Sequence, residues 1–378
     1  MASEEDDRAE SNRLREVVFV RVKDIVRDLE EIAPPRLADE DDWIGLQVGD
    51  AEVDVSRVVA AVDPTPAVVQ WAVDSGAELL VTHHPLIHRP LSTVAAGEPT
   101  RDRIVKLITS GTALYVMHTN YDSVEGGTND VLAERLGVRV TGLLSVRRRE
   151  RRLKVAVFVP EEAVDEVRDA MAEAGAGLIG NYAYCSFRAV GTGTFIPLPA
   201  AQPYVGDVGN LEEAAEYRLE MIVPEWRLDA VVEAMIRKHP YEEVAYDVYP
   251  LENEPHTYGY GRVGTLGKAV KLSEFRRKVE QALSFHETRM VGDPDMPVEI
   301  VALCSGGGSR LIPDAHAAGA NVYVCGDIGY HDFLAADALG LAAIDAGHYQ
   351  TERPGMEALA DRLSRMYAEE PVTVEFRP

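Results

Sequence analysis

The chain has 378 residues, too many for one ordinary compact domain and enough for two or three. Hydrophobic residues make up 46% and charged residues 27%, which excludes global disorder and a fibrous repeat, and no apolar run is long enough to cross a bilayer. With 63 acidic against 38 basic side chains the net charge is −25, so the surface repels phosphate backbones and nucleic acid is a disfavoured partner. The opening MASEEDDRAESNR has no apolar core, so neither a secretory signal nor a transit peptide is expected and the compartment is expected to be cytoplasmic. Cys185, Cys304 and Cys325 are too few and too widely spaced for a disulfide framework or a cysteine-rich zinc module.

Residues 1–15 read as an acidic tail. A helix follows in VRVKDIVRDLEEIAP, with Val22, Ile25, Val26 and Leu29 on one stripe, and Pro34 and Pro35 stop it. The apolar run ending at Asp63 reads as a buried strand, and TPAVVQWAVDSGA as a helix ending near Gly76. ELLVTHH (78–84) is a second strand, RDRIVKLITSG a helix, TALYVMHTNYD (112–122) a third strand with a polar end, and NDVLAERLG a helix stopped by Gly137. Alternating helices and buried strands imply a parallel or mostly parallel α/β layer.

The texture then changes. RRRERR (147–152) reads as a solvated hinge, and KVAVFVP opens a new unit. VPEEAVDEVRDAM (159–171) aligns with VPEWRLDAVVEAM (223–235) at an offset of 64, with seven of 13 positions identical. Each copy reads as strand, proline turn and amphipathic helix, which suggests a ferredoxin-like α+β domain inserted over 152–254. HPYEEVAYDVYPL, with His239, reads as a helix end and strand of this insert. The α/β pattern returns afterwards: strand VEIVALC, a glycine turn with a helix, strand NVYVCGD, helix HDFLAADALG, strand LAAIDAGH, helix MEALADRLSRMY and edge strand VTVEFRP. The predicted fold class is therefore α/β. A discontinuous host domain of two similar α/β layers, 1–151 and 255–378, would carry the insert. The alternative is one continuous doubly wound domain followed by a separate C-terminal one.

The polar residues of the host are not scattered. His83 and His84, His118 and Asp122, and His348 and Glu352 each follow a predicted strand, and Asp63 and Asp327 end two more. Ligands of open parallel sheets bind at the strand carboxyl ends, so separate segments deliver imidazoles and carboxylates to one rim. Each piece alone has a plain reading: a solvated His-His turn, a turn-forming Asp, a surface pair at i, i+4. Five nitrogen and carboxylate donors, His83, His84, Asp122, His348 and Glu352, exceed what one tetrahedral zinc needs. They suit two divalent ions about 3.5–4 Å apart, with Zn, Fe, Mn or Co all compatible. SGGGSR (305–310) lacks phosphate-loop spacing and reads as a plain tight turn, and Cys304 and Cys325 read as buried, inert thiols.

Six stretches carry a resemblance: GLQVGD, VDPTPAVV, VTHHPLI, HTNYDSVEGGTNDVLAERLG, CGDIGYHD and IDAGHYQTERPGMEAL. In these the chain resembles the GTP cyclohydrolase I type 2 homologs, the Nif-three-like dinuclear-metal hexamers, and its insert resembles their PII/CutA-like module. The resemblance implies metal ligands at His83, His84, Asp122, His348 and Glu352, a homohexameric ring and a hydrolase acting on a nucleotide or other small phosphorylated substrate. A cyclohydrolase also needs a general acid, for which His118, Asp63, Tyr121 and His331 are candidates. Two positions depart from the family pattern: Trp43 stands where Asn is usual, and Gly329 where Lys is common. The competing expectation is a non-enzymatic metal-binding regulatory or chaperone-like ring.

Overall fold

The computed structural model describes residues 19–253 and 255–378; the acidic tail expected at 1–15 lies outside the described residues. The chain divides into two compact units, one running to Arg147 and resuming over Tyr258–Pro378, the other Arg148–Thr257.

The first unit contains two sheets. One is built from β1 (Gly45–Val48), β2 (Arg57–Ala61), β3 (Leu79–Thr82), β4 (Ala113–Val116) and, from the C-terminus, β15 (Thr373–Phe376), in the order β1-β4-β3-β2-β15. β4, β3, β2 and β15 are parallel, and β1 adds to β4 antiparallel. The period-2 alternation of a strand sorts its residues onto two faces. Val58, Ala60, Leu79, Val81 and Tyr115 pack with Ile25 and Leu29 of helix Val22–Ile32 and with Leu359 and Leu363 of helix His348–Met366. Val59, Ala61, Leu80, Leu114 and Val116 pack with helices Pro66–Asp74 and Pro99–Ser110. Covered on both sides, the sheet has no solvent face, which is why its central strands read as unbroken apolar runs.

The second sheet has the order β11-β14-β13-β12-β10-β5, where β5 is Arg139–Glu150, β10 His256–Lys271, β11 Arg289–Val291, β12 Pro297–Gly307, β13 Val322–Gly326 and β14 Ala342–Asp345. Its parallel core β12-β13-β14 is likewise two-faced. Val301, Leu303, Val324 and Ile344 meet helix Leu272–Leu283, while Ala302, Cys304, Tyr323 and Cys325 meet helices Ile312–Ala317 and Tyr330–Ala338. Cys304 and Cys325 are buried, and burial pushes the Cys304 thiol up to about 12. The boundary between the two units falls within RRRERR, after Arg147, but the segment is extended strand and not a loop: Arg147–Glu150 belong to β5 and Arg152 begins the next strand. β5 ends the sheet order, and charged side chains are what an unpaired edge tolerates.

The second unit is a four-stranded antiparallel sheet of β6 (Arg152–Pro160), β7 (Ser186–Phe195), β8 (Glu212–Pro224) and β9 (Tyr246–Pro250), ordered β7-β8-β6-β9. Helices Val164–Glu173 and Leu228–Lys238 pack on it. The sequence repeat is visible in its core. Val155, Val157, Val159, Val167 and Met171 have their counterparts, 64 residues on, in Leu219, Met221, Val223, Val231 and Met235, and all ten are buried in one cluster. His239 serves this packing, its Nε2–H donating to the Phe158 carbonyl at 2.9 Å.

Candidate metal centre

Parallel strands of both sheets of the first unit deliver polar residues at their carboxyl ends. β3 runs into His83 and His84, β2 into Asp63, and β4 into His118 and the short helix Thr119–Ser123, which carries Asp122. β13 runs into Asp327, and β14 into helix His348–Met366, whose first turn carries His348 and Glu352. The structure brings all five expected ligand positions together, with His118 beside them.

Four imidazoles are each held at Nδ1. His83 Nδ1–H donates to the Met117 carbonyl at 2.8 Å, and His84 Nδ1–H to Asp63 at 2.8 Å. His118 Nδ1–H donates to Asp42 at 2.8 Å, and His348 Nδ1–H to Asp327 at 2.7 Å. Each acceptor is a carbonyl or a carboxylate, so the proton sits on Nδ1 and Nε2 is left as the donor atom. Acceptors behind metal-binding histidines fix tautomer and ring orientation in this way. The rings are close: His83 and His118 have centroids 5.1 Å apart, and His84 and His348 5.2 Å.

The freed nitrogens face carboxylates. His83 Nε2 lies 3.5 Å from Glu352 and 3.6 Å from Asp122, His84 Nε2 3.3 Å from Glu352, and His348 Nε2 3.0 Å from Glu352. His84 and His348 present Nε2 to Nε2 at 3.3 Å. Asp122 is steadied by the hydroxyls of Thr128 and Ser305. His83 Nε2 and Glu352 Oε2 are both buried without a hydrogen-bond partner. Such atoms are rare in a folded interior and call for a positive charge between them. Burial opposes charge on His84, but the carboxylates of Asp63 and Glu352 beside it prevail and raise it to about 10. The Glu352 hydrogen bond lifts His348 to about 9, and burial, which would raise the Glu352 carboxyl, is outweighed by the histidines, which hold it well below the carboxylate range. Two ligand groups meet the spacing a divalent ion requires: His83, His84 and His118, and His84, His348 and Glu352. Nitrogen and carboxylate donors with no thiolate fit Zn, Fe, Mn or Co.

Backbone geometry keeps the centre open. Gly306 has φ +65°, and a Cβ there would fall 2.2 Å from Glu352 Oε1. Asp327 holds His348 from a left-handed φ of 55°, a conformation tolerated by Asp and typical of functional loops.

The other expected residues fall in different places. Asp63 acts on His84 from behind. Tyr121 is buried and donates its hydroxyl to the Gly355 carbonyl at 3.1 Å, away from the imidazoles. His331 is exposed on helix Tyr330–Ala338, its ring against Tyr330. Asp42 escaped the sequence reading. It accepts from His118 and from the Thr119 amide (3.1 Å), and although burial works the other way, these bonds hold it at about 2. Trp43, its neighbour, is 42% exposed and reaches the site through none of the described contacts. A cavity of about 390 Å³ opens beside the cluster, lined among others by Asp42, His118, Asp122, His348 and Arg310. Arg310 lies over the Tyr260 ring at 5.3 Å.

The Duf34/NIF3 (NGG1p interacting factor 3) family model matches residues 20–377. The chain belongs to the Duf34/NIF3 family. Among its relatives, the GTP cyclohydrolase 1 type 2 homolog of Bacillus subtilis (strain 168) is 40% identical over 347 residues, covering 92% of this chain and 93% of that one. The Mycobacterium tuberculosis (strain H37Rv) protein of the same name is 40% identical over 363 residues, 94% of each. The crystal structure of a Bacillus cereus protein related to NIF3 superposes with a TM-score of 0.83 at 39% identity, covering 95% of this chain and 97% of that one. The chain thus shares the mixed α/β architecture of NIF3 proteins along nearly its full length. Among the described residues, no helix is long and apolar enough to cross a membrane.

Proposed function

We propose that the chain is a metal-dependent hydrolase acting on a nucleotide or other small phosphorylated substrate, with two divalent ions held by His83, His84, Asp122, His348 and Glu352. The observation that carries this reading is the set of four Nδ1-anchored imidazoles, three of which turn Nε2 toward Asp122 or Glu352, with His83 Nε2 and Glu352 Oε2 buried and unpartnered. Bound ions would supply an acidified water and charge neutralisation at a phosphoryl or ring carbon. The chain's own groups supply the rest. Asp63, Asp42 and Asp327 orient the rings. His118, held by Asp42 at the cavity wall with its Nε2 free, is the group placed to take up a proton and pass it to a leaving atom. Arg310, in the same lining, is placed to meet an anionic group.

Assembly into a cytoplasmic homohexamer, with the Arg148–Thr257 unit as an inserted ferredoxin-like, PII-like domain, completes the proposal. The strand order β7-β8-β6-β9 with two helices on the sheet supports that assignment of the insert. The test is a turnover screen of metal-reconstituted protein over GTP, other nucleotides and phosphoesters, with Glu352→Ala as control. Turnover that requires both metal and Glu352 supports the proposal. Tight metal binding without turnover on any substrate would instead favour a non-enzymatic metal-binding regulatory or chaperone-like ring.

A further inference from the structure

Strand β11 is three residues long, lies at the edge of the second sheet beside β14, and adds only partly buried side chains to the core. Its first residue, Arg289, has a side chain 59% exposed. An arginine on an edge strand is ordinarily a solvated charge. Here the guanidinium is tied down. Its Nη2 donates to the Ile328 carbonyl at 2.8 Å and to the carboxylate of Asp345, the register partner of Arg289 on β14. The same group lies over the Phe333 ring at 5.4 Å.

Both acceptors belong to loops of the metal centre. Ile328 is buried and follows Asp327, the acceptor behind His348 Nδ1. Asp345 closes β14 and is buried, and its other oxygen accepts from the Gly347 amide at 3.1 Å. Gly347 comes immediately before His348 and takes φ +80°, so the turn into the ligand is made by the most permissive residue type and pinned by the Asp345 bond. The two loops also touch, since a Cβ on Gly326 would fall 2.6 Å from His348 Cα. One guanidinium therefore braces the His348 imidazole and the carboxylate that orients it. Its rigid, planar donors suit such a double anchor, and it supplies the positive charge that a buried Asp345 needs.

Building on the two-ion reading proposed above, we infer that Arg289 is a positioning residue for His348 and supports one of the two ions and not the other. His348 belongs to the ligand group His84, His348 and Glu352 and has no part in the group His83, His84 and His118. The latter three follow β3 and β4 of the first sheet, with which Arg289 shares no hydrogen bond among the described residues. Hydrogen-bond partners behind a ligand are worth about 10- to 100-fold in metal affinity. Loss of Arg289 loosens His348 alone, so the two ions part in affinity.

The experiment is a titration of the chelator-stripped full chain with Co²⁺, followed by its visible absorption, which reports the geometry around each ion. The wild type should take up two equivalents. Arg289→Ala should bind one equivalent as tightly as the wild type and the other about 10- to 100-fold more weakly, with the spectral change confined to that equivalent. Ethylguanidinium, which replaces the atoms removed, should restore the weakened equivalent in Arg289→Ala, an effect that a general loss of stability would not give. Arg289→Lys keeps a cation against Asp345, guards against a variant that fails to fold, and should fall between the two. Equal weakening of both equivalents, or a weakened one that ethylguanidinium leaves unchanged, would overturn the inference. Two equivalents of unchanged affinity in Arg289→Ala would overturn it and leave the two-ion reading standing, whereas fewer than two in the wild type would overturn that reading and this inference together.

Discussion

Replacing Glu352 with Gln keeps the shape of the side chain and removes its charge. The carboxylate lies within 3.0–3.5 Å of the Nε2 atoms of His348, His84 and His83 and is 3% exposed, so one substitution touches three of the proposed ligands. A four-ligand zinc site contributes about 10–16 kcal/mol, so a ligand is worth about 2.5–4 kcal/mol, or roughly 100- to 1,000-fold in affinity. Asp327→Asn acts only through the His348 Nδ1 hydrogen bond, where a loss of about 10- to 100-fold is expected. The two variants should therefore rank, with Glu352→Gln the weaker binder by about an order of magnitude. The assay is competition for Zn²⁺ against a chromogenic chelator, with circular dichroism to show that both variants fold. Equal affinities, or wild-type affinity in Glu352→Gln, would refute the reasoning, because Glu352 would then be an ion-pair partner of histidines and no ligand.

Loading chelator-stripped protein with Zn²⁺ at pH 7.5 should release protons. With His84 near 10 and His348 near 9, the stripped centre is protonated there, so affinity should rise with pH up to about 10; a potentiometric titration with no release contradicts this. Gly306→Ala should cut metal content sharply, because its Cβ would fall 2.2 Å from Glu352 Oε1; unchanged content by elemental analysis would show that Glu352 has room to move. Asp42→Asn should lower turnover about 10- to 100-fold, with less effect on metal content than Glu352→Gln, since Asp42 acts through His118. Light scattering at moderate salt should give six times the 41.4 kDa chain mass, and lowering the salt should promote dissociation of chains carrying −25 each; a monomer would contradict the ring.

The proposed ligand positions were legible because a buried strand announces its own end. ELLVT, ALYVM and LAAID are apolar until the chain leaves the sheet, and the next polar residues must sit at its rim. Asp42 was not legible. It lies in an irregular stretch before the four-residue strand β1 and meets His118 76 residues later, so no local period marks it. Strand β7 also went unread, since SFRAVGTGTF is mostly exposed and has no apolar alternation. RRRERR does mark the boundary between the units, but its charges suggested a loop, and an edge strand is solvated too.

The most direct measurement is anomalous diffraction from crystals of the protein purified without added metal, collected on both sides of the absorption edges of zinc, iron, manganese and cobalt. Two anomalous peaks per chain, bonded to the Nε2 atoms of His83, His84 and His348 and to the carboxylates of Asp122 and Glu352, are predicted. Peaks located elsewhere, or none at these residues after reconstitution with each of the four metals, would contradict the metal centre and the hydrolase built on it.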